Sequence, residues 1–253
     1  MKYNKDLERY RYFLKDSIRK TIDFSQTDQN QGIPAPPITK PYPPNSPRIH
    51  LPIIDWKEKF DLNLVLAIEN RKSQRNFTKE SLNIEEVSFL LWATQGIRFN
   101  AGKYAFRNVP SAGCRHALET YLTIFNVEGI EKGVYRYLPT SHELLFEFKD
   151  QNLEEKMIKA TFDQAFAGQS ALTFIWTTIP YRMEWRYGID SHKVIAMDAG
   201  HVGQNLYLSC EAINSGTCVI GAYDQEYLDD LLRLDGINEF SIYLAAVGKI
   251  KKN

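Results

Sequence analysis

Apolar residues recur at helical spacing in some stretches and alternate with polar ones in others, and the changes of period divide the chain into elements. "LNLVLAIEN" (62–70) has the helical period, with Asp61 as its expected N-cap and Asn70 at its end. "NIEEVSFLLWATQG" (83–96) opens on Asn83 with Glu86 three positions on, a capping-box start, and stops at Gly96. "LETYLTIFNV", then "GVYRYL" and "ELLFEF" split by "PTSH", alternate and predict strands, the last two a hairpin. A helix around 151–161 follows, then the continuous apolar strand "ALTFIWTT" and the long helix "KVIAMDAGHVGQNLYLSCEAIN". The short strand "TCVIGA", the helix "DQEYLDDLLRL" and the strand "FSIYLAAVG" close the pattern. Helices and strands alternate without a regular βαβ repeat, which predicts an α+β layer fold: a central, mainly antiparallel or mixed sheet flanked by helices.

Ahead of this lies different material. Residues 1 to about 20 read as an amphipathic helix with Tyr10, Phe13 and Leu14 on one side, and "QGIPAPPITKPYPPNSP" follows as a proline-dense extended segment. Residues 1–50 are therefore expected to form a helix and an arm, and 51–253 the globular domain. The arm either packs along the body or a partner subunit, or is a ligand for a proline-recognition domain.

Composition narrows the function classes. Lys plus Arg equals Asp plus Glu, 31 against 31, so no global field draws the chain to nucleic acid or to an anionic membrane. Three scattered cysteines make no disulfide framework and point to a reducing compartment. The charged N-terminus is unlike a signal peptide and no apolar run reaches membrane-spanning length, so the expectation is a cytoplasmic protein. The five histidines never pair at metal-ligand spacing, and HExxH, GxSxG, GxGxxG and GxxxxGK[ST] motifs are absent, so no metal, serine triad, Rossmann site or P-loop is expected.

What remains is a dispersed set: "RKSQR" (71–75), "PSAG" (110–113), "NSGTCVIGAYD" (214–224) and "VGKIKK" (247–252). Guanidinium groups give forked, charge-assisted bonds to phosphate, a serine hydroxyl adds a donor, and Lys249 or Lys251 adds a charge. Taken singly, "RKSQR" is also a solvated helix end, and "PSAG" and "VIGA" are also plain turns.

The order and spacing of these segments resemble the flavin-dependent nitroreductase family, whose domain opens with an Arg-x-Ser-x-Arg/Lys element, here Arg71, Ser73 and Arg75 followed by Phe77. "PSAGCRHALETYL" and "RMEWRYGIDSHKVIAMDAGHVGQNLYLSCEAINSGTCVIGAYD" look like that family's azoline-dehydrogenase branch, which oxidises thiazolines and oxazolines in peptides. The resemblance covers roughly residues 60–250 and implies a homodimer with FMN at the subunit interface. It places Arg71, Ser73, Arg75 and Lys249 at the phosphate and ribityl chain. Ser111, Ala112, Gly113 and Arg115 would come from the other subunit against the flavin ring, and Val219, Ile220, Gly221 and Ala222 would form a wall at its reactive edge. NAD(P)H is a possible reductant.

One position departs from that branch. A Lys-Tyr pair stands where this chain has Arg186 and Tyr187 in "WRYG". Arginine holds its proton and is a poor general base, so proton abstraction would pass to Tyr187, to water or to the substrate. Arg186 would then anchor an anionic substrate or pair with Glu184 or Asp190, while Trp185 and Tyr181 would line a pocket or serve as filler. The functions left standing are an FMN-dependent hydride-transfer enzyme of azoline-dehydrogenase type, a general NAD(P)H-dependent nitro or quinone reductase, a non-catalytic flavin-binding protein, and a scaffold acting through the arm.

Overall fold

Seven strands share one sheet in the order β1-β6-β5-β4-β7-β9-β8, and every ladder in it is antiparallel. These are β1 (Arg48–His50), β4 (Leu118–Ile124), β5 (Gly133–Leu138), β6 (Glu143–Phe148), β7 (Leu172–Thr178), β8 (Ser215–Ile220) and β9 (Phe240–Lys249). A separate ribbon pairs β2 (Ile97–Asn100) with β3 (Ala105–Arg107). The helices are α1 (Lys5–Tyr12), α2 (Trp56–Lys59), α3 (Leu64–Asn70), α4 (Ile84–Gln95), α5 (Leu153–Ala160), α6 (Phe166–Gln169), α7 (Tyr181–Tyr187), α8 (Ser191–Ala212) and α9 (Gln225–Leu231). This computed structural model describes residues 5–100 and 105–251. Residues 1–4 of the expected N-terminal helix and Lys252 of the basic C-terminal stretch lie outside them.

Strands β4 and β7 are buried along their whole length: the continuous apolar run of β7 fits the middle of a sheet covered on both faces, whereas β4, which alternates, also buries Glu119, Thr120 and Thr123. One face packs on α4 and α8 through Leu90, Leu91, Phe174, Trp176, Val202 and Leu206. The other packs on α5 and α9 through Met157, Ile175, Leu228 and Leu244. The α+β reading of the sequence describes this arrangement.

Local chemistry sets the element ends. The Asn83–Glu86 capping box is formed, with Glu86 N donating to Asn83 Oδ1 at 2.9 Å and Asn83 N to Glu86 Oε2 at 3.0 Å. At α3 the cap is Asn63 and not Asp61: Asn63 Oδ1 accepts from Val65 N at 2.8 Å and Leu66 N at 3.4 Å. The N-terminal helix ends at Tyr12, and residues 16–21 continue as a 3-10 turn.

The proline-rich arm lies along its own body. Trp185 Nε1 donates to Ile33 O at 2.8 Å, Arg182 Nε to Pro37 O at 3.1 Å and Arg136 Nη1 to Lys40 O at 3.1 Å. Most of these contacts read the arm's backbone carbonyls, which proline leaves available while removing its own N–H groups.

Candidate functional site

The segment after α3 runs as an extended strand along the edge strand β8. Ser73 bridges Thr217 in parallel, Gln74 N donates to Thr217 O at 2.9 Å, and Thr78 N donates to Lys249 O at 2.8 Å. Extended backbone sends alternate side chains to opposite faces. Lys72, Gln74 and Asn76 line a polar cleft of about 850 Å³ with Glu211 and Lys251. Arg71 lies over the ring of Tyr207 at 5.0 Å, and Ser73 Oγ is 2.8 Å from the Tyr207 hydroxyl.

Tyr207, on α8, joins two of the predicted segments. Its hydroxyl accepts from Val219 N at 3.2 Å; where it donates to Ser73 Oγ, the Ser73 proton is available to Cys218 or to a ligand. Among the described residues neither Arg71 nor Arg75 forms an ion pair. Ile220 is buried, whereas Gly221 and Ala222 are exposed. A Cβ added at Gly221 would meet nothing within 4 Å, so this chain's own packing does not demand glycine there. Lys249 is held differently: its ammonium pairs with Glu86 and donates to Ile213 O at 3.0 Å.

The second group forms around the turn at 110–116. Gly113, Cys114 and His116 have φ of 56°, 57° and 48°, a cluster of left-handed residues of which two carry side chains. Arg186 Nη1 donates to Gly113 O at 3.2 Å, and a Cβ at Gly113 would lie 2.5 Å from the Tyr187 hydroxyl. Glycine is favoured at 113 by its φ, and a side chain there would displace the ends of Tyr187 and Arg186. His116 is pushed down to about 3, by burial first and then by the charges of Arg107, Arg115 and Arg182, and stays neutral. Burial raises the Cys114 thiol above its ordinary range, which suits a packing role and not a reactive thiolate.

Several expected partners are rearranged. Glu184 pairs with His192 at 2.7 Å and Asp190 with Arg19 at 2.5 Å, so neither is the partner of Arg186. Trp185 and Tyr181 are docking points of the arm, Tyr181 through Asp28 Oδ2 at 2.6 Å. Arg115 is buried, with Nε donating to Arg182 O at 2.8 Å and its guanidinium 4.6 Å over Trp185, so it braces α7. Within one chain the Ser73–Tyr207–Val219 group and the Ser111–Gly113 turn stay apart. Tyr207 and Asp198, the α8 residues facing each, are nine positions and roughly 13 Å apart along the helix. Tyr207 and Asp198 were not singled out in the sequence; a carboxylate on the buried face of an apolar helix was the available signal.

A central antiparallel sheet, a long small-residue helix packed against it and a basic Ser-containing segment along its edge define an α+β fold with a candidate anion site. Residues 68–249 match the model of the nitroreductase family, and the chain belongs to that family. It is 29% identical over 201 residues to a protein of Methanocaldococcus jannaschii described as a nitroreductase, covering 79% of this chain and 96% of that one. It is 24% identical over 233 residues to the trifolitoxin-processing protein TfxB of Rhizobium leguminosarum bv. trifolii, covering 88% of this chain and 62% of that protein. Among solved structures it resembles a chain of the E. coli microcin synthetase McbBCD complex with truncated pro-MccB17 bound. The TM-score is 0.64 and the identity 19%, over 85% of this chain and 79% of the other. Among the described residues no helix is long and apolar enough to cross a membrane.

Proposed function

We propose that this chain is an FMN-dependent oxidoreductase that works as a homodimer, in the cytoplasm, by two-electron hydride transfer. The observation that carries the reading is the Ser73–Tyr207–Val219 junction. It sets a hydroxyl and Arg71, which forms no ion pair among the described residues, beside main chain that opens at Gly221 onto free space, with Arg75 two positions on over the Phe166 ring. These residues suit a phosphate monoester with an attached planar ring. When bound, FMN supplies the two-electron acceptor and donor. Arg71, Ser73 and Arg75 would bind and orient its phosphate and ribityl chain, Lys249 would join them only on leaving Glu86, and Val219, Ile220, Gly221 and Ala222 would exclude water from one edge of the ring.

The Ser111–Gly113 turn of a second copy completes the site, because one chain keeps the two groups apart. The exposed apolar side chains of α3, Leu64, Val65, Leu66 and Ile68, supply surface for that association. A peptide azoline is the substrate that the resemblance to azoline dehydrogenases implies, and the toxin-processing relative TfxB supports a peptide as substrate. Arg186 in place of lysine favours an NAD(P)H-driven nitro or quinone reductase, with Arg186 occupied in holding Gly113 O.

The test is the absorbance spectrum of the purified protein before and after NADPH, with chromatography of the heat-released cofactor and equilibrium sedimentation. The expected outcome is FMN that bleaches with NADPH, on a species of twice 29.3 kDa. FAD, no flavin after reconstitution, or a flavin-loaded monomer would count against the assignment. Arg186→Lys should raise thiazoline-peptide oxidation by about one or two decades at unchanged flavin content.

A further inference from the structure

We infer that a slot between α8 and the strand ends of β7 and β9 is a binding site for a neutral, planar aromatic small molecule that carries one hydrogen-bonding group. Farther along α8, the buried side chains of Val202 and Leu206 fill the space between helix and sheet. In the first half of the helix that space is lined by Ala196, Ala199 and Gly200 from α8 and by Thr178, Phe240 and Tyr243 from the strands, and it stays open, with a volume of about 420 Å³. Ligand sites commonly have volumes of this order, and an apolar cavity of about 150 Å³ already takes up benzene. Glycine is unfavourable in mid-helix, and at Gly203 packing accounts for it: an added Cβ would lie 2.8 Å from Tyr243 Cε1. At Gly200 an added Cβ would meet nothing within 4 Å, so the packing of this chain does not call for glycine there. What Gly200 leaves is room.

The lining sets the ligand's chemistry. Small residues on the helix side and the rings of Phe240 and Tyr243 on the sheet side suit the two faces of an aromatic ring. No Lys, Arg, Asp or Glu lines the slot, and the imidazole of His192 is already engaged, 2.7 Å from Glu184 Oε1, so nothing there calls for a charged ligand. Thr178 supplies the polar point. It is 1% exposed, and its Oγ1 has no hydrogen-bond partner among the described residues, an arrangement that costs free energy until a partner arrives. The preceding Thr177 is satisfied, donating to Glu239 Oε1 at 2.6 Å, so of the two threonines the orphan is the one that lines the slot. Arg71, Ser73, Arg75 and the segment 219–222 do not line it, which makes it a site apart from the one assigned to FMN and leaves the inference independent of the flavin reading.

The test titrates the purified full chain with 1-naphthol, naphthalene and 1-naphthalenesulfonate by isothermal calorimetry, with melting curves and sedimentation of each protein as controls. Wild type should bind 1-naphthol saturably, about fivefold more tightly than naphthalene for the added hydrogen bond and at least tenfold more tightly than the sulfonate, whose charge the slot does not match. Gly200→Leu places a side chain in the space and favours the helix, so it should keep or raise the melting temperature and weaken 1-naphthol binding at least tenfold. Thr178→Val keeps the shape of the wall and should bring 1-naphthol down to the affinity of naphthalene. No saturable binding of 1-naphthol by wild type, or binding that Gly200→Leu leaves unchanged, overturns the site. A preference for 1-naphthol over naphthalene that survives Thr178→Val overturns the assigned ligand chemistry. A wild-type dimer that binds no 1-naphthol and dissociates as Gly200→Leu gives the slot to a second copy of the chain and overturns the proposal.

Discussion

Replacing Tyr207 by phenylalanine removes one oxygen from the junction on which the flavin assignment rests. Tyr207 is 8% exposed, so the ring keeps its packing, and its face remains available to the Arg71 guanidinium 5.0 Å away. Two bonds go, the 3.2 Å bond from Val219 N and the 2.8 Å bond with Ser73 Oγ. Leaving the Val219 N–H without its acceptor costs about 1–3 kcal/mol. At roughly 2–4 °C per kcal/mol for a chain of this size, the melting temperature should fall by about 4–8 °C for a mid-range loss of 2 kcal/mol. Ser73, no longer held by a neighbouring hydroxyl, should lose about 1–1.5 kcal/mol of its bond to phosphate, close to a tenfold weaker FMN affinity. Thermal denaturation of the flavin-free protein reads the first effect and fluorescence titration with FMN the second. A melting temperature lowered with FMN affinity intact would make Tyr207 a structural bridge and separate Ser73 from the cofactor. No change in either would refute the junction.

Arg71→Ala and Arg75→Ala should each weaken FMN binding by about 1.5–3 kcal/mol, the range for a hydrogen bond to a charged group, while Lys72→Ala, on the opposite face of the strand, should do much less. Equal, negligible losses at all three would return the segment to a solvated helix end. His116 carries an acid-sensitivity prediction. Its folded value of about 3 lies below the ordinary 6.5, so the stability it contributes is full above pH 6.5 and is lost as pH falls toward 3. That amounts to about 2 kcal/mol between pH 6.5 and 5. His116→Asn, an asparagine being tolerated at φ 48°, should flatten that part of the denaturant-measured stability curve, and parallel curves for the two proteins would refute it.

Elements whose ends are written in local chemistry were legible from the chain. The α4 capping box and the β5–β6 hairpin stand where their residues place them. At α3 two residues able to cap lie two positions apart, and the sequence pattern does not choose between them; the structure uses Asn63. Helix α7 was not anticipated, since "YRMEWRY" mixes charge and apolar bulk over seven residues and its buried face, Arg182, Met183 and Trp185, includes an arginine. The three-residue β1 and the β2–β3 ribbon are too short to carry a period. At the site, the alternation that separates Ser73 from Lys72 was legible. The partner that fixes Ser73 was not, because Tyr207 lies 134 residues away on a helix whose apolar pattern accounts for a buried aromatic without reference to its hydroxyl.

The arm shows how far a change in composition can be from a break in packing. Arg136 and Arg182 are nearly fully buried and share the Glu119 carboxylate at 3.6 and 2.6 Å, two cations to one buried anion, with Glu147 pairing Arg136 at 2.8 Å from a more exposed position. Carbonyls of Pro37, Lys40 and Pro41 accept from Arg182 Nε, Arg136 Nη1 and Arg136 Nη2, while Arg182 Nη1 is buried without a hydrogen-bond partner among the described residues, and Lys40 returns a charge to Glu239 at 2.5 Å. Without the arm Arg182 Nε and Arg136 Nη1 and Nη2 would lose their carbonyl acceptors, at about 1–3 kcal/mol for each donor left buried, while the bonds to Glu119 and Glu147 would remain. Arg182 and Trp185 sit on the same helix as Arg186 and Tyr187, and Arg115 stacks on Trp185 from the base of the Gly113 turn. The proline-rich arm is therefore built into the support of the candidate site: its carbonyls accept from Arg182 and Trp185 of α7, and α7 in turn holds Gly113 through Arg186.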